Sequence, residues 1–270
     1  ALHLDEPLFV QFGYYLRSLF DGTLGYSYKK EAPVSALIGQ RLGYTLQITL
    51  PAVLLSTALG LLWGLHCGYK KGGVLDKLST TFQIVVNTMP SFVIALVLMI
   101  LFCFRQRWFP YTGLNSAGVP PGTAAYLWDR IRHLILPVLT LTIAAAPSRY
   151  LLMRNTVRQV TEEKYVLYAK ERGLSDHKIK FGYILKNIAQ PFITMVGMSV
   201  STCIGGSLVE NIFSIGGMGR LLSDAVYTLD YPLMQGILFV TTAIMTVSIV
   251  VTDVICILID PRVRLGGGQV

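Results

Sequence analysis

Four stretches of this chain run without an Asp, Glu, Lys or Arg for about the 20 residues that a helix needs to cross a bilayer: 42–69, 78–104, 191–209 and 231–252. No other feature restricts the fold as much, because a soluble helix of that length carries charge on its wet face. A fifth run, 134–148, is shorter and ends at Arg149. It reaches span length if its helix continues through Leu151, Leu152 and Met153, with Arg149 and Arg154 snorkelling toward headgroups. The rest of the composition agrees. Only 14% of the 270 residues are charged, where a soluble domain carries about 25%, and the mean hydropathy is +0.54. Such a chain is too apolar to stay disordered. The net charge of +8 does not point to nucleic acid, because the bases flank the uncharged runs, as they do in a protein whose partner is the lipid bilayer.

The expected fold is therefore an all-α integral membrane protein. Residues 1–41 form an extracytoplasmic segment, and 42–260 a transmembrane domain with spans at about 42–69, 78–104, 134–158, 191–209 and 231–259. Pro51, Pro90, Pro137 and Pro147 lie inside or at the ends of these spans, where neighbouring helices can satisfy the freed carbonyls. Gly60, Gly64, Ala95, Gly197, Gly205 and Gly206 permit close helix contact. No segment shows the ten-residue alternation of an outer-membrane barrel.

Orientation follows from the basic residues. Placing 1–41, 105–133 and 210–230 outside leaves fourteen of the 23 lysines and arginines on the inner side, in 70–77, 149–190 and 260–270. The short loop with Lys70, Lys71 and Lys77 carries most weight, since long loops count for less. Residues 261–270 form a cytoplasmic tail. Residues 1–41 contain no apolar core of a signal peptide, so the reading expects a leading transmembrane helix that is missing from this chain.

Catalytic patterns are absent. His3, His66, His133 and His177 show no H-E-x-x-H spacing, and there is neither a G-x-S-x-G elbow nor a phosphate loop. Gly216, Gly217 and Gly219 follow no strand. The chain is expected to be no enzyme and to hold no metal or cofactor. Cys67, Cys103, Cys203 and Cys256 fall in separate apolar runs and read as packing residues. Asp253 is the main ionisable group inside a span, with His66 near an inner end. It reads as a helix-packing or interfacial carboxylate, since a proton-coupled carrier would hold more buried charge.

Two connecting segments are informative. In the cytoplasmic loop 159–190, residues 165–175 (YVLYAKERGLS) form a short helix with Gly173 at its C′ position. Val166, Ala169 and Gly173 recur on one face. That face is either the solvated side of a loop helix or the docking face for a soluble partner. On the outside, 210–230 carries Ile212, Phe213, Ile215, Met218, Leu221 and Leu222, too apolar for water and too short to cross. It reads as a re-entrant or surface-lying helix at a pore mouth, with Arg220, Asp224 and Asp230 at the water boundary.

In the inner loop, Ala169, Gly173, Asn187 and Pro191 are placed as in the EAA coupling loop of ABC-importer permeases. LDEPLFVQF at 4–12, WFPYTG at 108–113, ENIFSIGGMGRL at 210–221, DYP at 230–232 and DPRVR at 260–264 follow in family order. The chain thus resembles the B-type permease subunit of the dipeptide/oligopeptide/nickel group. The resemblance implies a type I permease bundle in a bacterial or archaeal cytoplasmic membrane, forming half of a translocation path with a sister permease. It also implies two cytosolic ATP-binding subunits, which hold ATP and magnesium, and an extracytoplasmic substrate-binding protein. Coupling would fall to Val166, Leu167, Tyr168, Ala169, Gly173 and Leu174. The outer gate and binding-protein contact would fall to Glu210, Phe213, Gly217, Gly219, Arg220, Asp224 and Asp230. Three departures stand out: Leu167 and Tyr168 replace the loop's Glu/Ala pair, Ile215-Gly216 replaces a Trp-Pro, and the family's first helix, before the LDEPL-like segment, is missing. Abundant Tyr, Phe and Met without a His/Cys cluster favours peptides, with nickel or a metal chelate as the alternative within the family. A secondary transporter or channel is the competing class; it would not co-purify with ATPase subunits.

The topology has a direct test. With the four native cysteines replaced, Asp176→Cys in sealed cells should resist a membrane-impermeant thiol reagent, whereas Tyr227→Cys should react. Labelling of position 176 from outside would invert the orientation.

Overall fold

The apolar runs form helices in the computed structural model, which describes residues 6–259. Helix α1 (Leu8–Phe20) leads to a small antiparallel hairpin, β1 (Tyr26–Ser27) and β2 (Ala32–Pro33), that pairs Tyr26 with Pro33. Next come α2 (Val34–Tyr69), α3 (Val74–Asn87) and α4 (Ser91–Met99), the last prolonged by a π-helical turn, Ile100–Arg105. Helix α5 (Ala124–Val160) returns to the inner end, which is the end carrying residues 70–77. There lie α6 (Lys164–Glu171), α7 (Asp176–Lys178), a π-helical segment (Ile179–Ile184) and α8 (Leu185–Asn187). Helix α9 (Ala189–Gly205) crosses back to α10 (Leu208–Ile212) and α11 (Met218–Tyr227), and α12 (Tyr231–Ile259) crosses once more. The DPRVR motif, the 261–270 tail and His3 lie outside the described residues.

Among the described residues, four helical stretches are long and apolar enough to cross a membrane, and a fifth span exists if α3 and α4 are counted as one bent crossing. That pair corrects the expected straight span over 78–104, because the two helices meet at 99°. Pro90 has no N–H to donate, and it pushes the preceding residue out of the helical region. Thr88 turns its hydroxyl back onto the Val85 carbonyl, 2.7 Å away. Pro51, Pro137 and Pro147, by contrast, remain inside helices.

Helices α2 and α5 are also longer than expected, beginning at Val34 and Ala124 rather than at 42 and 134. At 1.5 Å per residue each is about 55 Å long, well beyond the hydrocarbon thickness of about 30 Å. The outer end of α5 is secured by polar contacts. Thr123 accepts from the Tyr126 N–H at its N-cap, and Arg130 donates to Gln47 and Asn115, both at 2.7 Å. The hairpin and α1 add structure to a segment whose sequence suggested none. Helix α1 buries no residue and exposes Leu8, Phe9, Phe12 and Phe20.

The core begins with the packing of α2 on α5. A Cβ placed on Gly60, Gly64 or Gly68 would lie 2.5 Å from Arg149 Cβ, 2.7 Å from Met153 Cβ or 2.7 Å from the Arg154 carbonyl oxygen. These glycines let the backbones approach as far as hard-sphere contact permits. Gly197 serves α9 against Thr252 of α12 in the same way. Gly205 and Gly206, expected in that role too, divide: a Cβ on Gly205 would make only ordinary contact with Thr241 Cγ2 at 3.8 Å, whereas one on Gly206, where α9 ends at φ +74°, would collide with the Gly219 backbone.

Two arginines do not snorkel. Arg149 is 5% exposed, donating to the Ala145 carbonyl (3.0 Å) and the Ser199 hydroxyl (2.7 Å). Arg154 closes a two-pronged ion pair on Asp76 at 2.5 and 2.9 Å, tying α5 to the first turn of α3. The neighbouring backbone N–H of Gly72 also reaches Asp76. Asp253 is exposed on α12.

If the seam holds α2 to α5, Gly64→Val should lower stability by about 1–3 kcal/mol, the usual cost of overpacking. Gly43→Val, at a position with nothing within 4 Å, should be neutral. Thermal unfolding of the detergent-purified protein reads the difference, and equal midpoints would remove the seam's importance.

Candidate functional site

The inner site is built on α6, eight residues long. The helix ends in a Schellman arrangement: Gly173, at φ +70°, donates to the Lys170 carbonyl (2.9 Å), and Leu174 donates to the Ala169 carbonyl (3.3 Å). A residue with a Cβ would be strained at that φ, so glycine is what lets the chain turn sharply into α7. There Ser175 caps α7 through the Lys178 N–H.

The six expected coupling residues fall on two faces. Val166 and Ala169 are 0% and 3% exposed. With half-buried Leu174 they pack into a cluster with Leu65 of α2, Met153 and Val157 of α5, and Ile179, Ile184 and Ile188. Leu167 and Tyr168 stand 45% and 62% exposed on the other side. This corrects the expectation that Ala169 lies on a docking face. The small apolar side anchors the helix to its own chain, and Leu167 and Tyr168 form its exposed side. Glu162, just before α6, meets Lys71 at 2.7 Å. The Lys71 ammonium, hydrogen-bonded to this exposed carboxylate, holds its pKa below the usual range.

The outer site is organised by a buried carboxylate. Glu210 of α10 is 0% exposed and accepts from the Thr45 hydroxyl and the Gly219 N–H, both at 2.9 Å. The same Thr45 oxygen accepts from the Met218 N–H at 2.7 Å. Glu210 thus sits at the positive end of α11, satisfying N–H groups that the helix leaves unpaired. Gly217 and Gly219 make room for this approach, since a Cβ would lie 2.5 Å from Thr45 Oγ1 or from the Ser207 carbonyl. Phe213 is buried among Ile48, Ala95 and Leu136, and its carbonyl accepts from the Gly113 N–H.

The expected outer residues therefore divide as well. Glu210, Phe213, Gly217 and Gly219 hold the segment together from within. Asp230, expected at the water boundary, is 3% exposed; it accepts from the Leu233 N–H at the start of α12 and from the Ser27 hydroxyl of the hairpin. Burial there follows from its place as a helix-capping side chain. Arg220 remains exposed, and Asp224 is partly exposed and paired with Lys30 at 3.4 Å. Arg41, Ser214, Gly216, Gly217, Arg220, Leu221 and Asp224 line a cavity of about 320 Å³. Arg41 donates to the Gly216 carbonyl at 3.1 Å. Sequence reasoning missed Thr45 and treated Arg41 only as the edge of a span. An uninterrupted apolar pattern gives no sign that a threonine within it faces a carboxylate 165 residues away.

Among the described residues, no group of three or more His, Cys, Asp or Glu could hold a metal. The arrangement is mechanical: a short amphipathic helix fixed to the inner end of the bundle, and a capped helix pair fixed across its outer end.

Comparisons with known proteins bear on both ends. The chain is 33% identical over 267 residues to a probable peptide ABC transporter permease protein of Sinorhizobium fredii, with 97% of this chain and 82% of that protein covered. It is 33% identical over 283 residues to a di/tripeptide transport system permease protein of Pseudomonas aeruginosa, covering 98% and 84%. The fold matches the inward-facing methionine ABC transporter MetNI with a TM-score of 0.65 at 14% identity, over 84% of this chain and 98% of that one. Residues 56–265 match the family described as binding-protein-dependent transport system inner membrane component. This chain belongs to that family, as an ABC-importer permease.

Proposed function

We propose that the chain forms half of the membrane path of a peptide importer. A sister permease would complete the path, two cytosolic subunits would bind and hydrolyse ATP, and an extracytoplasmic binding protein would deliver the peptide. Support for peptides as cargo comes from the relatives, whose names specify peptide transport. The observation that carries the mechanism is the two-sided α6: Val166 and Ala169 bound into the bundle, Leu167 and Tyr168 left outward. A lever needs both faces, one fixed to the load and one offered to the motor. Differential affinity of the ATP-binding subunits for two positions of α6 would then shift the bundle between two conformations.

Reconstitution with the partner subunits and binding protein tests the assignment. ATP should drive uptake of a labelled tripeptide into proteoliposomes, and uptake of nickel without peptide would overturn the cargo. Within the same system, Tyr168→Ala should weaken ATPase-subunit docking by more than about 1 kcal/mol, as expected for a central exposed aromatic anchor. Gly173→Pro should uncouple hydrolysis from uptake, because proline cannot adopt the positive φ and lacks the N–H bonded to Lys170. Wild-type coupling in both variants would remove α6 from the transmission.

At the outer end, Arg220 and Asp224 are the charges available to the binding protein. Arg220→Glu should slow its association at low ionic strength, and the gap to wild type should close as salt screens the surface. Identical association rates at low salt would leave the outer segment a lid without a docking role.

A further inference from the structure

Helix α2 is bound at its inner end to the coupling segment and at its outer end to the gate segment. Inside, the Tyr69 hydroxyl donates to Asp176 at 2.7 Å, and the Lys170 and Lys180 ammonium groups lie 5.1 and 4.8 Å from the centre of the Tyr69 ring. Tyr69 is the last residue of α2, and these partners belong to α6, α7 and the π-helical segment after it. One aromatic side chain thus gathers three elements of the coupling segment. Lys71, just past the helix, adds its pair with Glu162. Outside, Thr45 bonds both Glu210 of α10 and the first N–H of α11, and Arg41 holds the Gly216 carbonyl between them.

Between these attachments α2 has little freedom to slide. Gly60, Gly64 and Gly68 lock its inner half against α5 without room for one methyl group, so the two helices must shift as a body. We propose that α2 carries the movement of the coupling segment to the outer gate, with Tyr69 and Thr45 as its two positioning residues. The inference rests on the importer reading and adds the route by which the two ends communicate. The competing route is α9, which follows the coupling segment in the chain and precedes α10. That route runs through the chain turn at Gly206, whose φ is +74° and whose backbone lies against Gly219 of α11; substitutions at Tyr69 and Thr45 leave it in place and so separate the two.

The test uses the complete transporter with its binding protein, in proteoliposomes. The four native cysteines are replaced, and a nitroxide is placed at Tyr227→Cys, the exposed last residue of α11. In the otherwise unaltered complex, trapping the ATPase subunits with ATP and vanadate should change the nitroxide spectrum. In Tyr69→Leu and in Thr45→Val, ATP hydrolysis and trapping should persist while that change is largely lost. Uptake per ATP should fall by about fivefold or more, the range of ordinary coupling free energies. Tyr69→Phe keeps the ring beneath the two ammonium groups and loses only the bond to Asp176, so its loss should be intermediate. The double variant should be no worse than the stronger single one, because both cut the same connection. A full spectral change and unaltered uptake per ATP in Tyr69→Leu would overturn the proposal. If that variant does not assemble, the same result in Thr45→Val, which leaves α9 intact, overturns it equally. The spectral change reads the connection whichever substrate is carried, so a failure of tripeptide uptake in the unaltered complex would count against the cargo alone.

Discussion

Everything at the two ends of this bundle depends on how closely α2 and α5 approach. Between helices in lipid the hydrophobic effect provides no attraction, because the tails are as apolar as the side chains they would replace. Association has to come from van der Waals contact, which falls off within an ångström of the optimum. Gly60, Gly64 and Gly68 bring the α2 backbone against Arg149, Tyr150, Met153 and Val157 with no space left for a Cβ. The contact runs toward the inner end, and there the same residues continue into the cluster that receives Val166 and Ala169. The seam and the seat of α6 are one packed body.

The spans were legible because their length is dictated by the bilayer, and an uncharged run can hardly mean anything else. The bend at Pro90 was not, since three other prolines sit in spans without breaking them. The residues before Pro90 differ from those before Pro51: Asn87 and Thr88 are poor helix formers whose side chains compete for backbone groups, and Thr88 does so. That signal is local and readable, although only by weighing the flanks. Buried charge was harder. Arg149, Arg154 and Glu210 marked the ends of runs, and a rule that counts charges as boundaries sends them to water. Their partners Ser199, Asp76 and Thr45 lie 50, 78 and 165 residues away, and nothing in the local pattern announces them.

The coupling segment shows the same division. Gly173 declared the end of α6 because only a residue without a Cβ turns the chain there at no strain. The choice of face could not be read, because α6 offers an apolar pair on each side: Val166 with Ala169, and Leu167 with Tyr168. Ile179, Ile184 and Ile188 decide between them by filling the space over the first pair. These residues come after α6 in the chain, so the anchoring face emerges only once the segment folds back.

The buried ionisable groups Arg149 and Glu210 follow one electrostatic rule. An arginine within a spanning helix is costly, and Arg149 offsets part of this by donating to Ala145 and Ser199. Glu210 is answered more fully, by a hydroxyl and by N–H groups at the start of α11 that would otherwise be unpaired. Its carboxyl group is therefore held in part by backbone orientation, which no single side-chain substitution can replace. Rotating α11 away would strand the carboxylate and the helix N–H groups together.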